Sequence, residues 1–277
     1  MTRSRRASKT PRAHPRAKKK FGQHFLVNPG QIERILNLME AAPGEPVLEI
    51  GPGPGTLTLP LLNRGVALEV VEADGDMVAH LENLKPEHAF GITQGDFLDI
   101  ELDRFFQTQT RVVSNLPYNV SVPITARLLR HTPQIPKMVL MYQKEVAERI
   151  AAAPKSRDYG QISVVSQCYY RIKRGFDLAP GAFSPPPKVW SRVLVFNRRD
   201  DPQLPLDLLP KLEQLLHVLF SHRRKMIGGI LKKWSPVWTD GPALLESYLS
   251  CEFDPTWRPE VLAPDDYACW IRAFHGI

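Results

Sequence analysis

The 277-residue sequence has only three cysteines, Cys168, Cys251 and Cys269, and no C-x-x-C pair among them. That spacing supports neither a disulfide framework nor a zinc site, and no metal is expected. The thiols read as reduced and partly buried, which places the chain in a reducing compartment, the cytoplasm. No run of about 18 apolar residues occurs, so no transmembrane helix is expected. Residues 1–20, MTRSRRASKTPRAHPRAKKK, contain no acid and no Leu, Ile, Phe or Val. Without apolar residues they cannot act as a secretory signal or form the apolar face of a transit helix. What they do contain is nine Lys and Arg. Such a segment is disordered when free. It suits salt-sensitive phosphate contacts, or serves as a solubilising extension.

The net charge of +7 therefore misleads if taken over the whole chain. With the tail's nine basic residues set aside, 27 Lys and Arg face 29 Asp and Glu, a net charge of −2. At 43% apolar residues, the body can bury a large core. NPGQIERILNLMEAA (28–42) predicts a helix capped by Asn28, with Pro29 in its first turn and Ile32, Ile35, Leu36 and Met39 on one face. Strands are predicted at 46–51, 67–74, 89–96, 111–115, 137–143, 162–170 (ISVVSQCYY) and 189–196. Helices are predicted between the first three, after 115 and after 143. This alternation predicts a doubly wound, mostly parallel α/β sheet. Beyond about residue 200 only helices are expected, LDLLPKLEQLLHVLF and HRRKMIGGILKKW. The organisation read from this is a tail (1–20), an α/β domain (21–199) and a small all-helical domain (200–277).

In doubly wound folds ligands bind at the carboxyl ends of the strands. Four predicted strand ends carry suitable residues. GPGPG after the first offers Gly51, Gly53 and Gly55, with a G-x-G-x-G spacing that lacks the third position of the dinucleotide fingerprint. It serves either a ligand without a phosphate cradle or a simple strand-to-helix turn. Glu72 ends the second strand, 21 residues after Gly51, close to the roughly 20 at which a carboxylate accepts from ribose hydroxyls. A solvated acid is the alternative. Asp96, after the third strand, could accept from an adenine amine with Phe97 flanking the ring, or could serve the turn at Gly95. The fourth end is Asn115-Leu116-Pro117-Tyr118. Proline pushes Leu116 toward an extended conformation and has no N–H of its own. The Asn115 amide oxygen and two carbonyls could converge on one donor, with the Tyr118 ring beside it for a flat partner. An exocyclic amine on a nucleobase fits that description; a plain β-turn over Asn115 to Tyr118 is the alternative.

GPGPG with Glu72, GDF (95–97) and NLPY resemble the motifs of class I S-adenosylmethionine-dependent methyltransferases acting on base amines. FGQHFL (21–26), NLPYNVS (115–121), FSPPPKVWS (183–191) and FSHRRKMIGGILK narrow the resemblance to the ribosomal RNA adenine dimethyltransferases of the bacterial small-subunit type, from about Phe21 to the C-terminus. DNA amine methyltransferases typically carry a second proline where this chain has Leu116, so DNA is not the expected substrate. The resemblance implies a Rossmann-like fold with a seven-stranded sheet. It implies S-adenosyl-L-methionine as methyl donor, 16S rRNA of an immature 30S subunit as partner, and a monomer without membrane contact. It implies that Gln23, His24 and Leu26 close over the cofactor's methionine end. Gly51 and Gly53 would line its path, Glu72 would meet its ribose and Asp96 its adenine amine. Asn115 would touch both the cofactor and the target amine, Leu116 and Pro117 would help hold that amine, and Tyr118 and Phe183 would sandwich the flipped base. His24 stands where many members have Asn. Arg223, Arg224, Lys225, Lys232 and Lys233 form a basic cluster on the second domain, either an RNA phosphate track or a solvated helix face. Competing readings are a 23S rRNA methyltransferase and an assembly factor whose binding matters more than its methylation.

Overall fold

The computed structural model describes residues 23–84, 90–233 and 241–276. The basic tail, Phe21 and Gly22 of FGQHFL, Ala89 and Trp234 lie outside the described residues. The chain opens with β1 (Phe25–Leu26) and α1 (Pro29–Met39). As predicted, Asn28 caps α1 by accepting the Gln31 N–H at 3.1 Å, and Pro29 occupies the first turn, where no N–H is needed. Ile35, Leu36 and Met39 are buried along one face.

There follow β2 (Pro46–Ile50), α2 (Thr58–Asn63), β3 (Ala67–Glu72), α3 (Gly75–Glu82), β4 (Gly91–Gln94), β5 (Arg111–Asn115) and α4 (Ser121–Leu129). Next come β6 (Lys137–Gln143), α5 (Lys144–Ile150), α6 (Gln161–Tyr169), β7 (Tyr170–Leu178), β8 (Phe183–Ser184) and β9 (Ser191–Arg198). One seven-stranded sheet has the order β4-β3-β2-β5-β6-β9-β7, and β1 pairs with β8 separately. The pairs from β4 through β6 are parallel, while β9 runs antiparallel to both β6 and β7. Chain order reverses between β2 and β5, the switch point at which doubly wound folds open a crevice.

One predicted strand is wrong. ISVVSQCYY forms α6, and the seventh strand is the following YRIKRGFDL. The β-branched run favours a strand, but Ser163, Val164, Val165, Ser166, Cys168 and Tyr169 are all buried. Packing against α4, α5, α7 and α10 overrides propensity. The Ser163 hydroxyl accepts the Gly160 N–H at 3.0 Å and so helps start the helix. β7 escaped notice because it is an edge strand with exposed charges, Arg171 and Arg174 among them.

The last helices are α7 (Leu209–Ser221), α8 (Ile227–Lys233), α9 (Gly241–Ser250) and α10 (Pro264–His275). HRRKM is not helical; α8 begins only at Ile227. There Ile227 N–H donates to Trp257 O at 2.8 Å and Gly228 N–H to Pro255 O at 2.9 Å.

Alternation along the strands splits the interior into two cores. Val47, Val113, Val139, Met141, Val193 and Val195 face α1 and α2. Leu48, Val112, Met138, Leu140, Leu194 and Phe196 face α4 and α6. The second core continues without a break into the C-terminal helices through Leu212, Leu216, Tyr267 and Trp270. Cys168 is buried, and Cys251 and Cys269 are half-buried with sulfurs 3.3 Å apart. No described helix is long and apolar enough to cross a membrane.

Candidate active site at the carboxyl edge of the sheet

A cavity of about 290 Å³ opens where β2, β3, β4 and β5 end. Its wall includes Gln23, His24, Gly51, Gly53, Glu72, Asp96, Asn115, Leu116, Pro117 and Tyr118, drawn from five separate stretches of sequence. Apolar side chains of Ile50, Val71, Phe97 and Ile124 complete it.

The glycine loop leaves β2 in a backbone conformation that suits glycine. Gly53 has φ +54°, and a Cβ there would stand 2.9 Å from the Phe25 ring. The loop and the N-terminal segment can touch only because that atom is missing. Gly53 N–H donates to Glu72 Oε2 at 3.0 Å, and Asp74 N–H donates to Glu72 Oε1 at 2.8 Å. Glu72 is only 5% exposed. Burial raises its pKa above the ordinary carboxylate range, against the pull of these two N–H bonds. Asp96 accepts the Leu98 N–H at 2.9 Å, which orients its carboxylate at the turn after β4.

At the end of β5 the Asn115 side-chain NH₂ donates to the His24 carbonyl at 2.8 Å. With the nitrogen so engaged, the amide oxygen is left as the acceptor that Asn115 brings to the cavity. The Pro117 carbonyl accepts the Val120 N–H at 3.2 Å, closing a turn into α4. So the turn begins at Pro117 rather than spanning Asn115 to Tyr118. One of the two carbonyls expected to converge on a target amine is thereby partly engaged.

Tyr118 shares a 2.7 Å hydroxyl–hydroxyl bond with Ser191, and its ring stacks against His24 with centroids 5.6 Å apart at 26°. Burial raises the Tyr118 pKa above its ordinary value. The His24 ring also meets the Pro185 carbonyl at 2.8 Å through Nδ1.

Two expected wall residues lie elsewhere. Leu26 is fully buried and Phe183 is 4% exposed, both in the core shared with α1. The β1–β8 register pairs them directly. The ring stacked on Tyr118 is that of His24. Of the basic cluster, Arg223 is taken up structurally. Its guanidinium donates to Arg157 O at 2.6 Å and Ser156 O at 2.8 Å, and faces Glu260 at 3.6 Å. Arg224, Lys225, Lys232 and Lys233 are exposed.

Sequence reasoning assigned no role to Ser191 or Glu49. Ser191 sits inside FSPPPKVWS, and only the fold brings it to Tyr118. Glu49 is 1% exposed and accepts the Thr58 hydroxyl at 2.7 Å. Burial pushes its pKa up to about 8. An acid embedded in the otherwise apolar VLEIG strand was the available signal.

Residues 14–237 match the model of the family described as ribosomal RNA adenine dimethylase. The chain belongs to that family. A Pseudomonas aeruginosa relative, ribosomal RNA small subunit methyltransferase A, is 40% identical over 260 residues covering 93% of each chain. The protein of the same name from Acidithiobacillus ferrooxidans is 37% identical over 260 residues, again 93% of each. Among solved structures, a dimethyladenosine transferase from Plasmodium falciparum matches with TM-score 0.78 at 24% identity, covering 91% of this chain and 98% of that one. The 23S rRNA methyltransferase ErmE matches with TM-score 0.67 at 23% identity, covering 91% and 99%. These structures share the class I methyltransferase fold.

As a ribosomal RNA adenine dimethylase, the protein is an S-adenosylmethionine-dependent rRNA adenine methyltransferase. The donor set fits that cofactor. A buried carboxylate, Glu72, suits ribose hydroxyls, and a second carboxylate, Asp96, suits an amine. Ile50, Val71 and Phe97 offer flat apolar contact for a purine.

Proposed function

We propose that this dimethylase adds two methyl groups to N6 of each of two adjacent adenosines in the loop of the 3′-terminal hairpin of 16S rRNA. The RNA is presented in an immature 30S subunit, the enzyme works as a cytoplasmic monomer, and DNA is not a substrate. The small-subunit substrate is supported by the names of the relatives from P. aeruginosa and A. ferrooxidans. The observation that carries the chemistry is the bond from Asn115 to the His24 carbonyl, which leaves an amide oxygen at the cavity for the amine.

Glu72 and Asp96 would hold the cofactor, with Gly51 and Gly53 allowing close backbone approach and Gln23 and His24 covering its open side. When bound, S-adenosylmethionine supplies a methyl group on a strongly electrophilic sulfonium. The protein's own task is alignment. An adenine amine is a poor nucleophile because its lone pair is shared with the ring. Asn115 Oδ1 and the Leu116 carbonyl, accepting its two N–H bonds, favour a pyramidal nitrogen with a freer lone pair. Positioning of this kind can contribute up to about 7–11 kcal/mol. The base must leave its stack to enter the cavity, and Tyr118 offers it a ring face. Phe183, itself in β8, would join it there only if β8 moved. The methylated nitrogen then loses its proton to water.

In this reading residues 21–199 form the methyltransferase domain, residues 200–277 the rRNA-binding domain, and residues 1–20 a basic arm. Arg224, Lys225, Lys232 and Lys233 follow RNA phosphates, and Arg223 holds the fold beneath them. The deciding experiment is transfer of labelled methyl groups to under-methylated 30S subunits, read by mass spectrometry of the 3′-terminal 16S fragment. Two neighbouring dimethyladenosines are expected. Intact cofactor binding with no incorporation there would overturn the 16S assignment.

A further inference from the structure

On the same edge of the sheet as the cavity, the chain exposes an indole that methyl transfer itself does not use. Trp190 is 50% exposed and Val189 beside it 43%. Neither is held loosely. The Trp190 carbonyl accepts the Lys144 N–H at 2.8 Å, fastening the residue to the start of α5. The next residue, Ser191, pairs with Gln143 at the carboxyl end of β6 and bonds the Tyr118 hydroxyl at 2.7 Å. The indole therefore stands one residue from the group that holds Tyr118, on the same edge of the sheet as the cavity.

Its surroundings are cationic. Lys144 Nζ lies 5.9 Å from the ring centroid, while also pairing with Asp177 at 3.0 Å. Lys188, two residues before the indole, is exposed, with no described ion pair. An exposed flat ring on the cavity's edge of the sheet, with lysines beside it, matches the chemistry of a single-stranded nucleic acid, in which every base has a π-face and a phosphate follows it. A neutral apolar partner would leave Lys188 without a role.

We propose that Trp190 is a second stacking platform. It takes the unpaired base next to the adenosine in the cavity, while Lys188 and Lys144 face the adjoining phosphate. The inference rests on the RNA reading above and adds to it a residue that positions the strand rather than the reacting atom. Because the two target adenosines are neighbours in that reading, the platform would hold one while the other is in the cavity.

The test compares Trp190→Ala and Trp190→Phe with wild type on under-methylated 30S subunits, with cofactor affinity measured by calorimetry. Loss of one base–aromatic stack is expected to raise KM for the subunits roughly 5- to 100-fold in the alanine variant. Turnover at saturation and cofactor affinity should be unchanged, and phenylalanine should restore most of the loss. An alanine variant with wild-type KM would overturn the proposal. So would loss of cofactor affinity in both variants, which would assign Trp190 to folding instead. Wild-type enzyme that binds cofactor but methylates no 30S subunit would show instead that the RNA reading had failed, and would remove the proposal with it.

Discussion

The two sides of the cavity are held together by bonds of very different reach. On the cofactor side, Glu72 accepts from Gly53 and Asp74, 19 and 2 residues away, and Glu49 accepts from Thr58, 9 residues away. On the base side, Asn115 reaches His24 across 91 residues, Tyr118 reaches Ser191 across 73, and His24 reaches Pro185 across 161. The carboxylates of the cofactor side are thus held by neighbouring strands and their loops alone. The base side exists only when β5, the segment around β1 and the stretch between β8 and β9 have met. Cofactor binding and base handling should therefore fail separately when single residues are changed, with local opening concentrated on the base side.

Asn115→Ala is the sharpest test of that separation. It removes the amide that faces the amine, and turnover should fall roughly 100-fold or more through misplacement alone. Cofactor affinity should survive, and an equal loss of both would mean the two sides are one unit. Glu72→Ala works from the other side. It deletes a buried carboxylate, and bonds to charged groups are worth about 1.5–3 kcal/mol each. Calorimetry should show cofactor affinity weakened at least roughly tenfold. Ser191→Ala should act more gently, since a neutral hydrogen bond contributes about 0.5–1.5 kcal/mol. We expect a less than roughly tenfold rise in KM for RNA with unchanged cofactor affinity.

A separate effect concerns pH and involves no ligand. Glu49 binds its proton more tightly when folded, with a pKa raised to about 8 from 4.5. Between those values the native state holds a proton that the unfolded chain releases, so this group lowers stability as pH rises. Glu49→Gln keeps an acceptor for Thr58 and cannot ionise. Its melting temperature should fall less than that of wild type between pH 5 and 8. Parallel curves would show that Glu49 ionises freely in the fold.

This difference in reach also explains what could be read from sequence. Gly51, Gly53, Glu72, Asp96 and Asn115 each follow directly from a strand end, and all five line the cavity. Ser191 could not be connected to Tyr118 without knowing that β9 inserts between β6 and β7. α6 was hidden because its apolar, β-branched residues are buried on every side, which erases helical periodicity. Leu26 and Phe183 belong to motifs near the site, but a two-residue pairing turns both into the core. Arg223 looks like its basic neighbours in sequence; only the carbonyls of Ser156 and Arg157 reveal its different work.

The uninterrupted core that joins the sheet to α7 and α10 has a mechanical meaning. Tyr169 of α6, Leu216 of α7 and Trp270 of α10 are packed in one cluster at 1% exposure or less, so the described residues offer no hinge between the sheet and these helices. Interiors at this density transmit displacement instead of absorbing it. The C-terminal helices then behave as the fixed jaw of a calliper. If RNA is held there as proposed, a strand gripped at that jaw would be measured out to the cavity, and a base at any other distance along it would fall short.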